Sequence, residues 1–341
     1  MLEKDFKAII NDVKLKIQET EFKMVSAINK ETLELFLYLG KVINDNKEYG
    51  SKFVENLSTE LKLLYPNSTG FSRSNLFYMQ RIYKECLENS KVQPLVGLLP
   101  WTLTNIIFDK IKDTEVRVWY MTQAVENGWS KAVLIYQLDT DLYSRQVTAD
   151  KMNNFDQRLI SPQSELADEL MKDPYKFALP LFNKKIKETE LENSLVSRIK
   201  DTLLELGNGF SFITNQYRIV VDGDEYFIDM LFYNTILHCY IVVELKTVPF
   251  EPEFAGKLNF YISAVDKQVR KTGDNQTIGL LLCQDKKKIK VEYALEGSNR
   301  PIGIASYEIL PKEIAQALPS EEDINMHVNM DNDIEEGDAN D

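Results

Sequence analysis

Apolar positions recur at helical spacing from the start of the chain. Phe6, Ile9, Ile10, Val13 and Ile17 make one stripe, and Leu33, Phe36, Leu37, Gly40 and Ile43 make a second. The spacing predicts two long helices between Leu2 and about Lys47. Phe53, Val54, Leu57, Leu61 and Leu64 predict a third, closed by Pro66. Asn67-Ser68-Thr69-Gly70 reads as a turn, and Ser72 as the cap of a helix that opens Arg73-Ser74-Asn75. Helix, tight turn and a helix opening on small polar and basic residues fit a helix-turn-helix, with Arg73 and Asn75 meeting nucleic acid. An ordinary structural helix pair fits the same pattern. Pro94 to Trp101 predicts a loop, and helical stripes then continue through Tyr143, so the first half is read as all-helical. Ser161-Pro162, Asp173-Pro174 and Leu179-Pro180 predict a connector.

After Pro180 the pattern changes. Leu191, Leu195, Ile199, Leu203 and Leu206 share a face of a helix predicted from about Lys185 to Leu206, ended by Gly207-Asn208-Gly209. Strands are predicted over Phe210–Val221, Tyr226–Tyr233 and Cys239–Lys246, the first two joined by a turn at Asp222-Gly223-Asp224. A helix follows over Phe254–Val269, then strands over Thr277–Cys283, Lys290–Leu295 and Ile302–Tyr307. The order is α-β-β-β-α-β with additions.

Length and composition narrow the chemistry. The chain has 341 residues, 44% of them hydrophobic, which is the composition of a globular protein of about two domains. No apolar run reaches the roughly 20 residues of a membrane span, and the N-terminus shows no signal-peptide core. Three dispersed cysteines make no disulfide framework, so a cytoplasmic setting is expected. With only His238 and His327, neither a zinc site nor a Ser-His-Asp hydrolase is expected. Carboxylates, lysines and an oxygen-bound metal remain. The net charge of −13 is mostly local. Nine acidic residues and no Lys or Arg lie in Glu321–Asp341, leaving 44 acids against 40 bases elsewhere. The tail is expected to be disordered.

One constellation stands out. Asp229 interrupts an apolar strand, and Glu244 and Lys246 close the next one, pointing the same way because strand side chains alternate. A hairpin centred between Ile236 and Leu237 pairs positions that sum to 473, which sets Asp229 opposite Glu244. Two carboxylates among aliphatic neighbours are costly unless a cation joins them. Mg²⁺ prefers a few carboxylates plus waters and leaves room for a phosphate oxygen. A lysine two residues on can orient or deprotonate a water, or steady developing charge. The set is a minimal phosphodiester-hydrolysis site. Standing alone, Glu-Leu-Lys at a strand end marks no more than the onset of solvent.

Several segments carry a family resemblance. Phe227-Ile228-Asp229-Met230-Leu231-Phe232-Tyr233, Val242-Val243-Glu244-Leu245-Lys246 and Glu253-Phe254-Ala255-Gly256-Lys257-Leu258-Asn259-Phe260-Tyr261 resemble the YhcG-like proteins, as do Gly70-Phe71-Ser72-Arg73-Ser74-Asn75-Leu76, Leu99-Pro100-Trp101 and Asn127-Gly128-Trp129-Ser130. The resemblance covers about residues 30 to 318. It implies an α-helical N-terminal domain that binds DNA and a C-terminal restriction-endonuclease-like (PD-(D/E)xK) core. It implies metal binding at Asp229 and Glu244, with water activation or charge stabilisation by Lys246. It also implies a first-helix glutamate, Glu192 with Glu190 as second choice, and a helical pair at Lys257 and Tyr261 where many members carry Gln and Tyr. A solvated role is the alternative for both glutamates and for Lys257.

These readings predict an α+β chain with a helical domain over residues 1–150, a connector over 151–182, an α/β nuclease domain over 183–318 and an acidic tail over 319–341. The expected activity is Mg²⁺- or Mn²⁺-dependent DNA endonuclease chemistry, structure-selective and serving recombination, repair or defence, with a homodimer expected and no membrane. The competing expectation is a non-catalytic nucleic-acid or protein-binding module that keeps the fold. A nucleotide-processing metalloenzyme is disfavoured by the absence of a Walker-type phosphate loop.

Overall fold

The computed structural model describes residues 31–46, 50–179 and 187–310. The helix expected at the N-terminus, residues 180–186 and the acidic tail lie outside the described residues. The chain divides into two compact units between Ile135 and Tyr136.

Every regular element among the described residues of the first unit is a helix. Helix α1 (31–45), α2 (Gly50–Leu64) and α3 (Arg73–Glu88) bury Phe36, Leu39, Ile43, Val54, Leu76 and Met79 together. α1 passes so close to α3 that a Cβ on Gly40 would lie 2.2 Å from the Met79 carbonyl oxygen. Trp101 closes this core, its ring edge-on to Phe36 at 4.6 Å. Ser72 caps α3 as its sequence predicts, accepting from the Asn75 amide at 3.2 Å. Two expectations are corrected. Pro94–Trp101 is no loop: α4 (Val92–Leu98) occupies most of it and α5 (Trp101–Lys110) follows, because Val92 and Val96 are one turn apart and both bury. The link from α2 to α3 spans residues 65–72 and contains a 3₁₀ turn at Thr69–Phe71. A helix-turn-helix has a turn of about three or four residues, so this pair departs from it. Helices α6 (Thr114–Glu126) and α7 (Lys131–Asp139) complete the series, and the division between units falls inside α7.

The second unit is a mixed sheet between two helical layers. Its strands are β1 (Met152–Asn153), β2 (Tyr175–Phe177), β3 (Phe210–Val221), β4 (Asp224–Asn234), β5 (Cys239–Leu245), β6 (Ile278–Cys283) and β7 (Ile302–Ile309), and helices α8 (Phe155–Arg158) and α9 (Gln163–Leu170) lie between β1 and β2 in the chain. The order is β1-β7-β6-β5-β4-β3, with β2 also on β7. β3, β4 and β5 pair antiparallel, whereas β5, β6 and β7 are parallel. β5 and β6 are apolar nearly throughout, as strands covered on both faces must be. Val243, Leu245, Leu280 and Leu282 meet Leu191 of α10 (Glu188–Ser197) and Leu206 of α11 (Ile199–Leu206). Val242, Leu231 and Leu281 meet Leu258 and Ile262 of α12 (Pro252–Gln268) and Val291 of α13 (Lys288–Glu296).

Three further expectations change here. The predicted strand over 290–295 is helix α13, whose Val291 and Leu295 lie one turn apart on a buried side. The predicted helix to Leu206 breaks at Arg198, which leaves helical backbone at φ −115° and ψ 44°. The stretch read as a connector is part of the unit: β1 and β2 pair with β7, and Phe155, Met171, Tyr175 and Phe177 are in its core. Arg145 helps hold it. Its guanidinium meets Glu205 of α11 at 2.5 Å, and the same carboxylate accepts from the Lys176 amide of β2 at 2.8 Å.

Candidate active site

The β4–β5 hairpin sets the register of the site. Met230 pairs with Val243, Leu231 with Val242 and Asn234 with Cys239, the same sum of 473 that the sequence suggests, so Asp229 and Glu244 are the next pair along. The Asp229 carboxylate accepts from the Leu245 amide at 2.8 Å. Burial, and then the charge of Glu244, push Asp229 up to about 7; the Leu245 amide and the two nearby lysines only partly offset this.

Glu244 has no exposed surface. Its Oε1 atom receives two ammonium groups, Lys246 Nζ at 3.0 Å and Lys257 Nζ at 2.5 Å. Its Oε2 atom is buried without a hydrogen-bond partner. A buried carboxylate oxygen without a donor carries a large desolvation cost, and a cation beside it removes that cost. The donor set therefore fits a hard divalent ion of the Mg²⁺ kind, which takes one or two carboxylates and keeps waters for the rest.

The lysines are held differently. Lys246 is 9% exposed in its side chain and donates to Glu188 Oε2 and to the Leu245 carbonyl, both at 2.9 Å. It also lies over the Phe254 ring at 5.5 Å. Burial lowers its pKa, but Glu188 and Glu244 more than offset this, so the net direction is up and Lys246 is a firm cation. Lys257 comes from α12, is 43% exposed and lies over Tyr261 at 5.2 Å, one turn along the same helix. Its pKa is likewise raised, Glu244 outweighing burial. Tyr261 itself is buried, and burial raises its hydroxyl.

Glu192 is 5% exposed and takes a neighbouring position. Its two oxygens accept from Asn215 Nδ2 at 2.8 Å and Gln216 Nε2 at 2.5 Å. Gln216 falls between the pairs Asn215–Met230 and Tyr217–Ile228, hence opposite Asp229, and has a left-handed φ of 46°. A left-handed φ is uncommon for a glutamine, and Glu192 holds this one by its side-chain amide. Glu190 instead accepts from the Lys187 amide at 3.3 Å, closing the start of α10. Among the described residues no group of three or more His, Cys, Asp or Glu side chains is placed to hold an ion, and both Glu192 oxygens are engaged by side-chain amides. Glu188, Asn215 and Gln216 escape sequence reading. Their only signal is polar residues at the ends of an apolar helix and inside a strand, which also marks solvent.

Arg73 and Asn75 sit at the start of α3. Arg73 is half-exposed, pairs with Glu55 at 3.1 Å and lies over the Phe77 ring at 5.6 Å. Asn75 is part-buried, its Oδ1 accepting from Trp101 Nε1 at 3.5 Å. All three cysteines are free thiols. Among the described residues no helix is long and apolar enough to cross a membrane.

Residues 168–322 match the YhcG PDDEXK nuclease domain, and residues 12–145 match the DUF1016 N-terminal domain. The chain is 27% identical over 295 residues to a curated Escherichia coli (strain K12) protein named "Putative nuclease YhcG", with 78% of each chain covered. Two solved structures are also similar. A repair endonuclease from Pyrococcus abyssi has 14% identity, covering 39% of this chain and 50% of that one, with a TM-score of 0.26. An EndoMS–dsDNA complex has 13% identity, covering 39% and 46%, with a TM-score of 0.27. The chain thus carries a region that matches the DUF1016 N-terminal domain, followed by one that matches the YhcG PDDEXK nuclease domain.

Proposed function

We propose that the chain is a Mg²⁺- or Mn²⁺-dependent DNA endonuclease. The observation that carries the reading is the buried, partnerless Oε2 of Glu244 on the strand pair that also holds Asp229. Asp229 and Glu244 would hold the ion. A divalent cation at that place supplies Lewis acidity toward the scissile phosphate and the attacking water. Lys246, kept charged by Glu188 and Glu244, steadies the negative charge that develops on the phosphate. Glu192 acts one step back, fixing Gln216 against Asp229. Lys257 and Tyr261 line the α12 side, Lys257 within reach of the substrate phosphate.

DNA is the expected substrate, with Arg73 at the exposed start of α3 meeting phosphate and Asn75 steadying that turn through Trp101. One site per chain cuts one strand, so a duplex break takes a homodimer or two events. A cytoplasmic role in recombination, repair or defence, with preference for particular DNA structures, fits such an enzyme. The test is supercoiled plasmid incubated with Mg²⁺, with EDTA, and with the Asp229→Ala protein, alongside a single-stranded RNA arm. Nicked or linear DNA only for wild type with Mg²⁺ supports the reading. Equal cleavage by Asp229→Ala removes the site assignment, and cleavage of RNA alone replaces the substrate.

A further inference from the structure

The two lysines on Glu244 Oε1 are not equivalent, and the difference reveals a displaceable counter-ion. Lys246 is 9% exposed and makes three polar contacts besides its ring contact: Glu188, the Leu245 carbonyl and Glu244. Losing any one leaves the others. Lys257 is 43% exposed, and Glu244 is the one carboxylate that it meets among the described residues. Its stem comes from α12, so its ammonium can swing into water while the helix stays packed by Leu258 and Ile262. The shared acceptor is fully buried and cannot stay charged without a cation close by.

We infer that Lys257 is a built-in counter-charge beside the metal site: it helps neutralise Glu244 through Oε1 when no ion is bound, and a divalent cation entering on Oε2 repels its ammonium from the carboxylate. The inference rests on the metal reading above and adds what competes with the ion. The consequence is a lowered affinity for free cation, because only the fraction of molecules with Lys257 turned away is ready to bind. A bound phosphodiester gives the departing ammonium a new anionic partner. Ion and nucleic acid thereby favour each other's binding, and the chain is kept from loading metal fully without substrate.

The experiment is isothermal titration of the full-length protein with Mn²⁺ in the absence of nucleic acid, on wild type, Lys257→Met, Lys257→Gln, Lys257→Arg and Asp229→Asn. Thermal melts are recorded with and without Mn²⁺. Lys257→Met and Lys257→Gln should bind Mn²⁺ roughly tenfold more tightly, the gain expected if the lysine covers the carboxylate in about nine molecules of ten. Lys257→Arg keeps the charge and should remain near wild type. Metal-free melting should fall in the Met and Gln variants, and Mn²⁺ should raise it by more than in wild type. Two failures are distinguishable. If wild type binds Mn²⁺, Asp229→Asn does not, and both neutral Lys257 variants bind equally or more weakly, the counter-ion role is wrong and the metal site stands. If no variant binds Mn²⁺, or Asp229→Asn binds like wild type, the metal reading and this inference both fall. Should the Met variant not fold, the Gln variant decides.

Discussion

Asp229 and Glu244 share one pair of strands and carry opposite burdens. Burial and the neighbouring carboxylate hold a proton on Asp229 up to about 7, so the folded chain keeps a proton that the unfolded chain releases near 3.8. This contribution to stability is complete below the unfolded value and is lost as pH rises through about 7. Asp229→Asn keeps the shape without the titration. The melting temperature of metal-free wild type should therefore fall relative to Asp229→Asn between about pH 4 and 7 and run parallel above it. Parallel curves throughout would show that Asp229 is not forced to hold a proton. Glu244 is different, because its removal breaks the buried pair with Lys246, which is 9% exposed. Glu244→Ala should lower stability on the scale of about 3 kcal/mol, as breaking a buried pair does, whereas Asp229→Asn should not. Lys246→Met should lower kcat roughly 100- to 1000-fold, the cost of one lost electrostatic stabiliser, while Mn²⁺ affinity changes little. Parallel loss of metal binding would move Lys246 from charge stabilisation to site structure.

Elements decide where those residues meet. β6 passes α12 at Gly279, where a Cβ would lie 2.6 Å from Ile262 Cδ1 and 2.8 Å from Leu258 Cγ. Gly279→Ala should cost about 1–3 kcal/mol of stability by overpacking and push α12, which bears Lys257, away from β5. Urea unfolding gives the first quantity, and an unchanged midpoint would mean that the helix yields freely. The hairpin register was legible beforehand because the Asp229 and Glu244 positions flank an apolar run symmetrically about a short turn. α13 was not, because Lys290–Leu295 alternates polar and apolar residues as a strand would, and only burial on α12 and β7 shows which period wins. α4 hid behind Pro94, which a first helical turn tolerates. The short strands β1 and β2 have no local pattern at all. They exist because β7 offers backbone partners to a segment distant in sequence. Glu188 was invisible for the same reason, since its partner Lys246 is brought to it by the sheet.

On the scale of the whole molecule, charge is the readable quantity. The net charge is −13, and Glu321–Asp341 supplies −9 of it. A polyanionic segment competes with nucleic acid for the same lysines, or serves only solubility. Truncation after Ser320 separates the two. Competition predicts tighter DNA binding at about 0.01 M salt, where the Debye length is roughly 30 Å, and no gain near 1 M. Equal affinity at low salt leaves solubility. Arg73→Ala should weaken DNA binding and reduce the salt slope by about 1, as loss of a single phosphate contact does. An unchanged slope would make the α3 terminus structural. The central claim, that Asp229 and Glu244 form the metal-holding centre of this nuclease domain, is tested most directly by anomalous diffraction from crystals of the full chain soaked in Mn²⁺. The account predicts a peak bonded to the Asp229 carboxylate and to Glu244 Oε2 at about 2.1 Å, with Lys257 turned away from Glu244. An ordered pair with no peak between them, or a peak held by other residues, would contradict it.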